Sequence, residues 1–526
     1  MLPLFLFLLP FQTVLLLRES TVGGEKWQYG TIGIYATDIL LVFSIGLFAS
    51  EGGVTFREWP PFLRRLGLGM MRHLPGQVFL LLLFWAGLSV SWAPDPILAV
   101  YGFIRILLAL GVFLLVREAI RGEWEKRIAW ALILSALLQS LVGIGQFVTQ
   151  ETFSFSFLGT SEHPVWEAGT SVLKNDSGRW LRAYGTFPHP NMYGLFVAVG
   201  LLLSVWELIE SSYGNGSERG RGRKFPFIPF FERGWDIGPS SASFRKGEEF
   251  VSRLVEKLFS SQPRRLGSSP LGGEPGKRPL PLSEGGIEGG MASKRASFVS
   301  TLLLASIPLL LLGLILSFSR SAWTGFVFGL LALVVYRILR GGRESWKLLQ
   351  VPLFTLLFSV ALFGGLLYET VFPRFDSVVV ERERSVTDRM TTYRDAWRIV
   401  RESTFLGVGM WNSTSELIRL DPGRPVWDIQ PAHDIPLLVL AELGIPGLAL
   451  FLFGGVMFLV RIIRQDDVLA LAIFLAFLPS MLFDHFLWSS HFGVFLLSAL
   501  SGYTFSSEWE RKEKRLSSEL CAPIRR

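Results

Sequence analysis

Apolar residues fall along the chain in blocks of about 16 to 25, separated by short charged stretches, the pattern of helices crossing a hydrocarbon layer about 30 Å thick. In that solvent every backbone N–H and C=O needs an internal partner, so blocks this long and this apolar are expected to be helical. Twelve are predicted, at approximately 2–17, 33–50, 76–93, 97–117, 128–148, 188–208, 298–318, 321–338, 350–370, 435–460, 468–484 and 488–505. The fold class expected is all-α, a polytopic membrane protein of about 12 transmembrane helices with one long outer loop. Residues 1–17 have neither a basic start nor a small-residue cleavage site and are read as a short first span rather than a removed signal.

Composition agrees. Half of the 526 residues are hydrophobic and 18% are charged, against roughly 25% charged in an ordinary soluble domain; mean hydropathy is +0.41. The formal charge of +7 does not call for nucleic acid, because excess Lys and Arg in a membrane protein sit in cytoplasmic loops and set orientation. With the N-terminus inside, Arg57, Arg64, Arg65 and Arg72 of loop 51–75 face the cytoplasm, as do Arg121, Lys126 and Arg127. Arg337, Arg340, Arg343, Lys347, Arg461, Arg464 and the tail residues Arg511, Lys512, Lys514 and Arg515 fall on the same side. The single cysteine, Cys521, has no partner in the chain for a disulfide.

The organisation that follows is spans 1–6 over 1–208, an insertion over 209–297, spans 7–9 over 298–370, an outer loop over 371–434, spans 10–12 over 435–505 and a cytoplasmic tail over 506–526. The insertion is rich in Gly, Ser, Pro, Arg and Glu, a composition that cannot bury a core; it is expected to be largely disordered, basic and cytoplasmic, with some attraction to anionic membrane lipids. Stretches 149–187 and 371–434 face outward and carry Trp, His and Arg.

Four segments point to chemistry. Residues 182–191 (R-A-Y-G-T-F-P-H-P-N) place Arg182 and His189 where an outer loop enters the sixth span; the bland alternative is an arginine snorkelling to lipid phosphate beside a turn histidine. Residues 317–321 (S-F-S-R-S) put Arg320 in a turn between two span ends, against the positive-inside trend, where it needs an anion. Between Phe372 and Pro431 stand nine arginines, nine acidic residues and no lysine, a bias that suits planar, bidentate recognition of oxyanions. There Ser385–Asp388 resembles a helix N-cap box, after which Arg389, Tyr393, Trp397 and Arg401 share one helical face and Arg394 and Arg398 a neighbouring one; for most of these arginines a solvated, ion-paired helix is the simpler account. Finally, His433-Asp434 stands at the return into the membrane, followed by Glu442-Leu-Gly-Ile-Pro-Gly447. Histidine takes or gives a proton near neutrality.

Asp38, Arg105 and Glu442 lie at a similar depth inside outer span ends, roughly 10 Å at 1.5 Å per residue, and structural pairing is the expectation for them. Glu381-Arg-Glu383 and Asp484-His485 are the acidic groupings with any claim on a metal, and neither has enough ligands in a local pattern.

Taken in order, R-A-Y-G-T-F-P-H-P-N, S-F-S-R-S, R-M-T-T-Y-R-D-A-W with L-G-V-G, and H-D-I-P with A-E-L-G-I-P-G resemble the O-antigen ligase and polymerase superfamily of bacterial envelope glycosyltransferases, over roughly residues 180–500. The resemblance implies a fold similar to C-type glycosyltransferases in the bacterial inner membrane. It implies transfer of a glycan from undecaprenyl diphosphate to a lipid or glycan acceptor at the periplasmic face, with neither metal nor other cofactor. Its functional residues map onto Arg182, Arg320, Arg389 and His433. The arginines would stabilise charge on the leaving diphosphate, and His433 would act on the acceptor hydroxyl with Asp434 as a neighbour. His189, Asn191, Ser319, Tyr393, Trp397 and Asp434 are expected to bind substrate. Relatives often have Asn where this chain has Asp434, and the 209–297 insertion is unusually long. Ligation to a lipid is the preferred reading over repeat-unit polymerisation or transfer to protein hydroxyls. A flippase or transporter is the rival from another class; it would not need an arginine-only outer loop, and the two halves of the chain show no internal repeat.

Overall fold

The computed structural model describes residues 1–51, 74–119, 123–167, 169–175, 178–213, 285–366 and 373–504. The N-terminal apolar run is not one span. Helix α1 (Leu2–Leu8) is seven residues long and buries Leu2, Phe5 and Leu6. The chain leaves it at Pro10, which has no N–H to continue a helix. The second half of the run is extended: β1 (Val14–Arg18) pairs antiparallel with β4 (Ile32–Tyr35), with the small hairpin β2 (Thr21–Val22) and β3 (Glu25–Lys26) between them. The span expected at 2–17 is corrected accordingly.

The helices that follow are α2 (Ala36–Glu51), α3 (Leu74–Leu88), α4 (Pro96–Ala119), α5 (Glu123–Thr149), α6 (Pro190–Tyr213), α7 (Gly285–Leu316) and α8 (Arg320–Leu366). After them come α9 (Pro373–Glu402), α10 (Ser413–Leu420), α11 (Ile435–Gln465), α12 (Val468–Phe483), α13 (Phe486–Ser489) and α14 over 491–504. A hairpin of β5 (Val172–Asn175) and β6 (Gly178–Leu181) interrupts the stretch between α5 and α6. Among the described residues, five helical stretches are long and apolar enough to cross a membrane, and five more are apolar but shorter.

Two boundaries differ from expectation. The polar residues expected to form a loop at 339–349 are helical, so the predicted spans 321–338 and 350–370 form one helix, α8, with Pro352 inside it; Arg, Glu and Lys are good helix formers, and they outweigh Gly341 and Gly342 there. Helix α9 starts at Pro373, a residue suited to a helix's first turn, so Ser385–Asp388 lies within the helix rather than capping it. Helix also occupies 209–213 and 285–297 of the expected insertion; residues 214–284 lie outside the described residues, as do Arg57, Arg64, Arg65, Arg72, Arg121 and the tail from 505 onward.

Helix α6 is the central pillar. It is apolar on every side, and a helix of that kind belongs inside a bundle; Leu195 to Leu202 are all fully buried, against α5, α7, α8 and α12. At one end of the bundle Arg337 of α8 pairs with Glu210 of α6 and lies 4.8 Å from the Trp206 ring, and the Tyr336 hydroxyl reaches Asp466 O at 3.5 Å. At the other, the turn 317–319 joins α7 to α8 beneath Arg182.

Arg105 and Asp38 pair with each other, as expected, whereas Glu442 is held by neutral donors. Arg105 Nη1 donates to both Asp38 oxygens at 2.7 and 2.6 Å, and Nη2 donates to Gly33 O and the Tyr101 hydroxyl. Glu442 accepts from Trp411 N, Ser413 Oγ and Trp488 Nε1 at 2.9–3.0 Å.

Candidate functional site

The entry to α6 fixes the first two residues. Pro190 opens the helix, and the Asn191 backbone N–H donates to His189 Nδ1 at 3.2 Å. That leaves the His189 proton on Nε2, which meets Ser171 Oγ at 3.0 Å. Arg182, just past β6, donates through Nε to Ser317 O at 2.8 Å and through Nη2 to Asn191 Oδ1 at 3.0 Å. With its oxygen so engaged, Asn191 turns its Nδ2 to Asp484 Oδ2 at 2.6 Å, and Asp484 Oδ1 accepts the His485 N–H at 2.8 Å. Hydrogen bonds thus run from the 317–319 turn through Arg182 and Asn191 to a buried carboxylate at the end of α12.

His433 completes the group. Its ring meets that of His485 edge-on at 5.0 Å between centroids, and one donor atom from each of His433, Asp484 and His485 lies within 4.8 Å of the others. Burial pushes the His433 pKa below its ordinary value and Arg389 adds to the shift, against the opposing pull of Asp484, so the imidazole is held neutral. Its carbonyl accepts the Tyr393 hydroxyl at 3.2 Å, which ties α9 to the start of α11. The Arg389 guanidinium lies 5.9 Å from the ring centroid of Phe483, next to Asp484.

A joint built from two of the sequence motifs holds α9 and α11 in this relation. Gly407 (φ +70°) sits so close to Glu442 that a Cβ there would lie 2.4 Å from its carbonyl oxygen, and Gly444 (φ +66°) breaks α11 opposite it. Only glycine takes both conformations without strain. Across the joint Val408 N donates to Ala441 O and Gly409 N to Glu442 O.

Several expected residues stand apart from this cluster. The Asp434 carboxylate accepts Leu437 N at 2.7 Å and caps α11, the usual task of Asp before a helix; the carboxylate facing His433 is Asp484, so the neighbour expected at 434 is corrected. Ser319 Oγ accepts from Ala322 N at the start of α8 and meets Ser321 Oγ at 3.3 Å. Arg320 opens α8 as an exposed residue, three positions after Ser317, whose carbonyl holds Arg182. The buried stripe of α9 is Thr392, Ala396, Ile399 and Val400, which leaves Arg389 and Tyr393 at its margin and Trp397 and Arg401 exposed. Arg419 and Arg424 are ion-paired, with Glu416 and Glu402 and with Asp395 and Asp428.

Sequence reasoning considered Asp484-His485 only for a metal and did not connect it with Asn191 or His433; the available signal was an acid–histidine pair directly after an apolar block. The donor set of two imidazoles and a carboxylate has the spacing of a metal site. The atoms of two of the three residues are also satisfied from within the protein: His485 Nδ1 meets Ser489 Oγ at 2.6 Å, Nε2 meets the Tyr29 hydroxyl at 3.4 Å, and both Asp484 oxygens accept hydrogen bonds.

Residues 305–452, which include Arg320, Arg389, His433 and the glycine joint, match the family model described as O-antigen ligase. Over that stretch the chain is similar to the O-antigen ligase family. Arg182, His189, Asn191, Asp484 and His485 lie outside the matched stretch and are brought to it by α6 and α12. No curated protein matches the chain. Its apolar helices and the match to the O-antigen ligase family model together point to a multi-pass membrane protein.

Proposed function

We propose that the chain is an O-antigen ligase-type glycosyltransferase of the bacterial inner membrane, which moves a glycan from undecaprenyl diphosphate to a lipid acceptor at the periplasmic face. The observation that carries this reading is the hydrogen-bonded line Ser317–Arg182–Asn191–Asp484, ending beside His433 and Arg389. In the transfer, the acceptor oxygen attacks the anomeric carbon, the bond from that carbon to the diphosphate oxygen breaks, and the acceptor proton passes to His433. Negative charge gathers on the leaving oxygen, so cationic donors fixed there stabilise the transition state more than the ground state. Arg182, Arg320 and Arg389 fill that role. Asp484 takes the part of orienting and stabilising the protonated His433, and Asn191 holds Asp484 while receiving Arg182 on its other atom.

Reconstitution in liposomes with an undecaprenyl-diphosphate glycan and candidate acceptors tests the reading. One preassembled chain joined to a different lipid is the expected product; a ladder of lengths would move the assignment to a polymerase. Full-rate transfer by Arg320→Ala or His433→Ala protein would remove these residues from the mechanism, and glycan that crosses the bilayer with no new glycosidic bond would replace a transferase with a flippase.

A further inference from the structure

Outside the site, a group of large apolar side chains stands exposed at the same end of the bundle. All four apolar residues of β1 are exposed, Leu15 at 67% and Leu17 at 60%. Thr13 Oγ1 donates to Phe157 O at 2.6 Å and so joins β1 to the loop after α5. There Phe153, Phe155 and Phe157 alternate with serines and are exposed at 41, 52 and 75%. None of residues 14–17 or 153–158 is charged. A soluble surface seldom leaves so many large apolar groups together without a use.

The covering is indicated by what the patch continues. On α5 the exposed apolar residues Leu134, Leu138, Leu141 and Val148 recur at helical spacing, the stripe a membrane helix turns to lipid. That stripe reaches the end of α5 and passes after a few residues into Phe153, Phe155 and Phe157. On α2 the exposed Ile39, Val42 and Phe43 lead back to Ile34 of β4, which is also exposed and is the cross-strand partner of Leu15. Two lipid-facing stripes therefore run beyond their helix ends onto one apolar ledge.

We propose that β1 and loop 153–157 form a ledge seated in the membrane leaflet on the side of the site, at the boundary of headgroups and acyl chains. Its partner is the lipid surface. An edge strand in the hydrocarbon interior would leave backbone groups without partners, whereas at the headgroup boundary water and polar lipid groups satisfy them. The ledge fastens to the leaflet the stretch that carries Ser171, Arg182 and His189. The inference uses the bundle geometry alone and does not depend on the transferase reading.

The test places one nitroxide label at a time on a Cys521→Ser background, at Leu15→Cys, Phe155→Cys or Phe157→Cys, in full-length protein in phosphatidylcholine–phosphatidylglycerol vesicles. Leu141→Cys on the α5 stripe is the hydrocarbon reference and Gly423→Cys, on an exposed polar turn, the aqueous one. Expected is relaxation enhanced by oxygen over a water-soluble nickel chelate at all three ledge positions, several-fold relative to position 423 and less than at 141. Labels that behave as at position 423 overturn the proposal. So does dipolar broadening between labels at high lipid-to-protein ratio, which would assign the ledge to a second copy. Labels that are aqueous in pure lipid and shielded only on addition of envelope proteins would assign it to a protein partner and equally overturn it.

Discussion

Replacing Glu442 with alanine removes the acceptor for Trp411 N–H at 3.0 Å, Ser413 Oγ–H at 2.9 Å and Trp488 Nε1–H at 2.9 Å. The serine hydroxyl can turn to another acceptor; the other two donors stay buried without one, at about 1–3 kcal/mol each, so Glu442→Ala is expected to lose about 2–6 kcal/mol. Glutamine separates packing from charge. Its one oxygen can serve both Trp411 and Trp488, which share Oε2 in the native protein, and its amide can donate to Ser413 Oγ. What it forfeits is the charge assistance of those bonds, about 1–2 kcal/mol. The unfolding midpoint of purified protein in a single detergent, followed by tryptophan emission, should fall markedly for Glu442→Ala and slightly for Glu442→Gln. Transfer assayed below both midpoints should survive in the glutamine variant. A glutamine variant as unstable as the alanine one, or one that is folded yet inactive, would refute the view of Glu442 as a pin for the glycine joint.

The remaining predictions concern the site and its supports. Because burial holds the His433 pKa below its usual value, the neutral base is fully present at pH 7 and is lost only as pH falls through that lowered pKa; transfer should be flat from pH 8 to 7 and decline in acid, and an acid limb already visible above pH 7 would count against His433 as the base. His433→Ala should slow transfer about 10²- to 10⁴-fold, the usual range for a positioned acid–base group, measured on liposomes with saturating acceptor. Arg182→Lys keeps the charge but not the fork that spans Ser317 O and Asn191 Oδ1; losing one charge-assisted bond of about 1.5–3 kcal/mol corresponds to about a tenfold to hundredfold drop in rate. Asp434→Ala should cost only a helix cap, about 1 kcal/mol, seen as a small shift in midpoint with transfer retained, whereas Asp484→Asn should impair transfer far more than stability.

The sequence carried the membrane architecture well where one cause dominates. Apolar block length marked most helices, since a hydrocarbon solvent leaves the backbone little choice. It misled at 2–17 and 339–349, where Pro10 and a helix-competent run of Arg, Glu and Lys decided against hydropathy. Arg182, Asn191 and His433, which the structure brings into one cluster, sit at span entries in recognisable motifs. Asp484 was not: it reaches His433 and Asn191 across 51 and 293 residues of chain, and no local spacing encodes such a meeting. Asp434 caps α11, because the free N–H groups at the start of that helix have a strong claim on its carboxylate.

The line from Arg182 to Asp484 also bears on how the protein is made. A ribosome delivers Arg182 and Asn191 to the membrane long before the carboxylate that Asn191 contacts has been synthesised. A chain arrested between residues 434 and 484 therefore inserts all four cationic and imidazole residues assigned to transfer, and leaves the Asn191 amide and the His433 ring without their shared acid. Termination before Asp484 would therefore yield a chain that lacks the carboxylate joining Asn191 to the His433 cluster.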